Sequence, residues 1–121
     1  MSGREHRDLL ADMLAHAEIA VELVVGLSAE DLRRDVRTRL ALERALEIVG
    51  EAAGKVPNTV RARHADLAWT QMGALRNRLA HAYFGIDHAL LHRIAGELLP
   101  PMLARLREII REEGADRPPS I

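Results

Sequence analysis

RALEIVGEAAGKVP, residues 44–57, is the stretch that decides the fold. Leu46, Val49, Ala53 and Val56 recur at steps of three and four, the spacing of one face of an α-helix, and Leu42 extends the stripe upstream. A second stripe, Ala41, Ala45, Ile48 and Ala52, runs beside the first. The helix, from about Asp35 to Lys55, therefore carries a wider apolar arc than one neighbour covers, and contacts on two sides are expected. Gly50 and Gly54 sit one turn apart within it. A glycine in a helix interior costs about 1 kcal/mol relative to alanine, so the expectation is that another helix packs closely there. Pro57 ends the helix by removing a backbone donor.

The same period runs outward in both directions. Residues 4–27 place Leu10, Met13, Leu14, Ala17, Val21 and Val24 on one helical face, with Gly26 near the end. Ser28 and Asp31 have the spacing of a capping box, with Asp in place of the usual Glu or Gln. Residues 57–68 read as a connector with room for one helical turn. A third helix is expected from Trp69 or Thr70, carrying Met72, Leu75, Leu79 and Ala82, and fraying between Tyr83 and Gly85. Asp87 is placed to cap a fourth helix, which Pro100 and Pro101 should kink or split before MLARLREIIREE continues it. The tail GADRPPSI, residues 114–121, has no periodicity and is expected to be disordered.

Composition agrees with helices. The apolar share is 48% of 121 residues, enough for one core, but aromatics are 2%, so that core must be aliphatic. The expected fold is all-α: a single domain over residues 1–113, arranged as an up-and-down four-helix bundle with a kinked C-terminal helix. The wide arc on the second helix points to a second copy covering one face, a homodimer.

Several functions are disfavoured. The chain has no cysteine, hence no disulfide framework, thiolate metal site or cysteine nucleophile. No apolar run approaches a membrane span and no signal-peptide pattern opens the chain, so a cytoplasmic location is expected. Net charge is −1, against the basic excess of a protein that coats nucleic acid, so any contact with RNA should be local. No phosphate-cradling glycine motif is present, and no nucleotide cofactor is expected. His88 and His92 are four apart, a spacing that suits a metal, but no third ligand accompanies them and exposed helix histidines are the expected reading. His6, His16 and His64 carry no signal.

The chemistry concentrates in RNRLAHAYFGID, residues 76–87. Arg76 can grip a phosphate through paired charge-assisted hydrogen bonds. His81 titrates near neutrality and can move a proton. These are the minimum for cutting RNA without a metal: a base for the 2′-hydroxyl, an acid for the leaving 5′-oxygen and a cation for the charged phosphorane. Five residues of separation put Arg76 and His81 roughly 140° apart on an ideal helix. Asn77 shares a side with His81, and Tyr83 with Arg76. A long reach by Arg76, a distorted helix or a symmetry mate could each bring them together. Arg78 reads as a solvated or phosphate-steering charge. Glu51 could face the cleft or simply pair with Lys55.

Arg-Asn-x-x-x-His resembles the R-x(4–6)-H signature of the HEPN superfamily. With the following x-Tyr-Phe-Gly-Ile-Asp, the segment GEA at 50–52 and the block WTQMGALRNRLAHAYFGID at 69–87, the chain resembles the HepT branch over roughly residues 5–110. The resemblance implies a HEPN-like helical dimer and a metal-independent endoribonuclease, the toxin of a type II or AMPylation-regulated toxin–antitoxin system. It maps Arg76 and His81 onto the catalytic pair and Asn77 onto their supporting polar residue. It maps Tyr83 onto a tyrosine to which an MntA-like nucleotidyltransferase antitoxin can transfer AMP. Ala82 stands where many relatives have glycine. The alternative expectation is a non-catalytic helical module that pairs with the nucleotidyltransferase.

Overall fold

The computed structural model describes residues 5–80 and 87–115. Among these residues every regular element is helical. In chain order they are α1 (His6–Leu23), α2 (Ala29–Arg34), α3 (Val36–Lys55), α4 (Asn58–Arg63), α5 (Trp69–Ala80), α6 (His88–Arg93), a π-helical turn at Ile94–Leu98, and α7 (Pro100–Ala115). No described helix is long and apolar enough to cross a membrane.

Local sequence sets most of the boundaries. Gly26 adopts φ +77°, the left-handed conformation that an L side chain resists, and lets the chain turn out of α1. The capping box forms as its spacing predicts: Asp31 N donates to Ser28 Oγ and Ser28 N donates to Asp31 Oδ2, each at 3.0 Å. Asp35 then caps α3, accepting from Thr38 N at 3.1 Å and from Thr38 Oγ1 at 2.7 Å. Asp87 caps α6 through Ala89 N at 2.9 Å and Leu90 N at 3.3 Å.

The connector holds its short helical stretch as a six-residue helix, α4, whose exit is pinned where Trp69 Nε1 donates to the His64 carbonyl at 2.9 Å. The fourth helix splits at the prolines, by way of a π turn that precedes them. Leu99 N donates to the Ile94 carbonyl at 2.9 Å, a wide π-type turn, and Pro100 becomes the first residue of α7. At a first helical position the missing proline donor has no partner to lose, so both prolines fit without breaking a helix.

α3 is the middle element. It packs against α1 on one side and α5 on the other, and α7 packs against α1. Neighbours run antiparallel: Leu9 and Asp12 of α1 share a groove with Ala52 and Lys55 of α3, and Arg107 of α7 donates to Glu18 of α1 at 2.8 Å. Leu10, Met13, Leu32, Leu42, Leu46, Val49, Leu91, Leu106 and Ile109 are fully buried, an aliphatic core with Trp69 at its edge. The wide arc of α3 is largely satisfied within the chain, because Ala45, Val49, Ala52 and Ala53 are all buried. Ala41 is exposed and Ile48 half-buried. α7 continues through Gly114 to Ala115, and the remainder of the expected tail lies outside the described residues.

Candidate functional site

α5 carries the first half of the motif. Its seat is set by Met72, which is buried, and by Leu75 and Leu79, which are half-buried. Its backbone lies unusually close to α3 at Gly50. A Cβ built on Gly50 would stand 2.7 Å from the Met72 carbonyl oxygen and 2.9 Å from Arg76 N, so the close helix packing read from the sequence is present at this glycine. Among the described residues a Cβ on Gly54, one turn on, would meet nothing within 4 Å. The two glycines are not equivalent: one admits a neighbouring backbone and the other borders open space.

From this seat Arg76, Asn77 and Arg78 all emerge into solvent. Among the described residues none of the three makes an ion pair or a side-chain hydrogen bond. That is unusual company in this chain, where most arginines are held by carboxylates: Arg33 by Glu30, Arg63 by Glu113, Arg105 by Asp66 and Arg107 by Glu18. An exposed guanidinium with no internal counter-charge is available to an external anion such as a phosphate. Arg78 also lines an apolar groove of about 330 Å³ beside Met72, Leu75, Leu90, Ile94 and Met102. His81 and Tyr83 lie outside the described residues, so their distances from Arg76 and Asn77 are not part of this geometry.

Glu51 faces away from α5. Its carboxylate accepts from Lys55 Nζ at 3.3 Å, and it lines a groove of about 190 Å³ with Leu9, Asp12, Arg44 and Ile48, between α1 and α3. The i,i+4 pairing is the arrangement present. Of the two histidines on α6, His92 uses Nε2 on the Leu27 carbonyl at 2.6 Å, tying α6 to the turn after α1. His88 Nδ1 is buried with no hydrogen-bond partner among the described residues. Among the described residues no three His, Asp or Glu side chains converge as a metal would require.

A cluster without any sequence signal lies where α1, α4 and α7 meet. His64 and Glu113 are the buried polar residues of the described chain, 4% and 3% exposed. Glu113 accepts from Arg63 Nε at 3.1 Å and Arg63 Nη2 at 2.6 Å, and it bonds His64 Nε2 at 2.6 Å. His6 Nε2 lies 3.0 Å from its other face, and His64 Nδ1 is 3.3 Å from Glu112. The paired bonds from Arg63 outweigh burial and, with His64, draw the Glu113 carboxyl down to about 2. A carboxylate so fully bonded has little capacity left for a substrate. The cluster joins three helix ends, and its members are separated by about fifty residues in sequence, beyond the reach of any spacing rule.

Known proteins resemble this chain over most of its length. The family model described as ribonuclease HepT-like matches residues 13–109. A protein from Thermococcus cleftensis described as a probable ribonuclease HepT is 34% identical over 106 residues, covering 88% of this chain and 96% of its own. A candidate RNase from Caldanaerobacter subterraneus is 31% identical over 107 residues, with 88% and 96% coverage. One from Methanocaldococcus jannaschii is 37% identical over 100 residues, with 83% and 92% coverage. No solved structure matches. Helices α2 to α6, with Arg76 and Asn77 on α5, sit within the matched span, and the chain belongs to the HepT-like ribonuclease family.

Proposed function

We propose that this protein is a metal-independent endoribonuclease and the toxin half of a toxin–antitoxin pair. The observation that carries the reading is the HepT-like match over residues 13–109, which spans Arg76, Asn77, His81 and Tyr83. Solvent exposure of Arg76 and Asn77, with no carboxylate among the described residues to neutralise the arginine, supports it.

In this reading the RNA 2′-oxygen attacks the adjacent phosphorus, the P–O5′ bond breaks, and the products are a 2′,3′-cyclic phosphate and a 5′-hydroxyl. The 2′-proton leaves to a base and a proton is delivered to the 5′-oxygen; His81 serves in this transfer. Arg76 binds and polarises the scissile phosphate, and Asn77 orients the histidine or the phosphate. General acid–base help of this kind contributes about 10²–10⁴-fold, and a cation on the developing charge adds to it. Four longer helices in an up-and-down frame pair with a second copy, whose motif completes one shared cleft. Val36 and Leu40, one turn apart on α3 and 51% and 58% exposed, are apolar surface such a partner could cover. A nucleotidyltransferase antitoxin silences the site in the cytoplasm by adding AMP to Tyr83, placing bulk and negative charge in the phosphate path.

Arg76→Ala and His81→Ala are the test. Each should abolish RNA cleavage and growth arrest while circular dichroism and light scattering stay those of the parent. Toxicity that survives both substitutions would sink the site assignment. A stable complex with the nucleotidyltransferase, but no cleavage by either the parent or its variants, would leave a non-catalytic pairing module. Intact mass after co-expression, with peptide mapping across 76–93, should place one or more adenylyl groups on Tyr83. An unmodified Tyr83 in an inactive complex would move silencing to steric cover.

A further inference from the structure

We propose that Gly50 is a positioning residue for Arg76. Its missing side chain sets how deeply α5 seats on α3, and so where the Arg76 guanidinium meets the phosphate. The inference rests on the nuclease reading above.

The geometry is specific to one glycine. The atoms a Gly50 Cβ would strike are backbone atoms, the Met72 carbonyl oxygen at 2.7 Å and Arg76 N at 2.9 Å, with Leu75 Cβ at 3.3 Å. A flexible side chain could swing aside; a helix backbone must move as a unit. Restoring ordinary contact at 3.4 Å from 2.7 Å asks α5 to retreat by about 0.7 Å, and Arg76 supplies one of the struck atoms, so it moves with that retreat. Misplacement of a reacting group by about 1 Å can cost as much as 10²-fold in rate. Gly54, on the same helix, has open space at its Cβ position, and Gly73 of α5 would make only ordinary contact with it at 3.9 Å. A general need for small residues along this seam would have left Gly54 crowded too. The crowding is confined to the turn of α3 that faces Arg76.

The test combines Gly50→Ala with Arg76→Lys, which keeps a cation and leaves residual cleavage to measure. Assays run well below each variant's melting temperature, on an unstructured RNA. Gly50→Ala should lower kcat about tenfold or more with a small change in KM, and Gly54→Ala should cleave like the parent. In the Arg76→Lys background the loss caused by Gly50→Ala should shrink to about twofold, because the group it misplaces has already been replaced. An equal loss in both backgrounds would mean that Gly50 acts through general packing, and parental kcat in Gly50→Ala would overturn the proposal outright. Should Gly50→Ala fail to fold, Gly73→Val, whose γ-methyls reach beyond the 3.9 Å at which a Cβ there meets Gly54 Cα, presses on the same seam and should show the same dependence on Arg76, at smaller size. If Arg76→Lys and Arg76→Ala leave cleavage untouched, the nuclease site itself is misassigned, an outcome distinct from failure of the positioning role.

Discussion

Arg63 and Arg76 are the same residue in opposite circumstances. Arg63 spends its fork on Glu113, whose side chain is 1% exposed, and the pair is backed by His64 and approached by His6. Arg76 stands in solvent on a helix whose backbone is clamped against Gly50, with no carboxylate among the described residues to hold its head. In the first region the charges are fixed and the reward is stability. In the second the backbone is fixed and the charge is left open, the condition a group needs to serve an external phosphate. Electrostatics in this chain therefore divides by location: satisfied where three helix ends meet, withheld along α5.

The largest effects should separate the two regions cleanly. Arg76→Ala should reduce RNA cleavage by at least about 10²-fold while its unfolding free energy stays within about 0.5 kcal/mol of the parent, as for an unpaired surface residue. Glu113→Ala should do the reverse. Removing one partner of a buried pair costs about 3–5 kcal/mol, and because Arg63 is 47% exposed on its own side a loss of about 2–3 kcal/mol is expected, read from urea unfolding, with kcat below the transition unchanged. A Glu113 variant that unfolds no more easily, or an Arg76 variant that does, would erase the contrast.

Acid should sharpen it. The Glu113 carboxyl titrates near 2 in the folded chain against an ordinary 4.5, so its contribution is complete above pH 4.5 and is lost as pH falls from there toward 2. The full linkage would be about 3 kcal/mol; with Arg63 half in solvent about 2 kcal/mol is expected. The parent should lose that stability across this window in acid unfolding titrations, and Glu113→Gln should lose correspondingly less. At the smallest scale, Asp35→Ala removes the α3 cap and should cost about 1 kcal/mol. Arg107→Ala, which breaks an exposed pair with Glu18, should stay below about 1 kcal/mol in the same unfolding assay.

What could be read from sequence follows the range of the forces involved. The Ser28–Asp31 box, the stop at Pro57 and the cap at Asp87 are decided within four residues, and each formed where its spacing places it. The apolar arc of α3 was legible as an arc but not as a list of neighbours: periodicity says that Ala45 and Ala52 are buried, not whether α1 or a second copy buries them. The proline pair advertised a break in the fourth helix, and α7 starts afresh at Pro100, but the π turn at Ile94–Leu98 that leads into it carries no sequence signal. Arg76 and Asn77 were legible as candidates by type and spacing; close packing was legible at the helical glycines, but that α5 crowds Gly50 and not Gly54 needs α5 set against α3. Glu113 was invisible: in REEG it looks like one more solvated acid, and only tertiary contact across the chain makes it buried.

The π turn has one more effect, on phase. Replacing an i→i+4 turn with the Leu99 N to Ile94 O closure lodges one extra residue, and each residue rotates whatever follows by about 100°. Leu106, Ile109 and Glu113 point inward only at the angle that this extra residue sets. The turn works as a vernier between α6 and α7. Deleting any single residue from 94–98 would straighten the junction yet swing Glu113 out from under Arg63, so a change at the join would be felt some fifteen residues away, as a lost anchor for the start of α1.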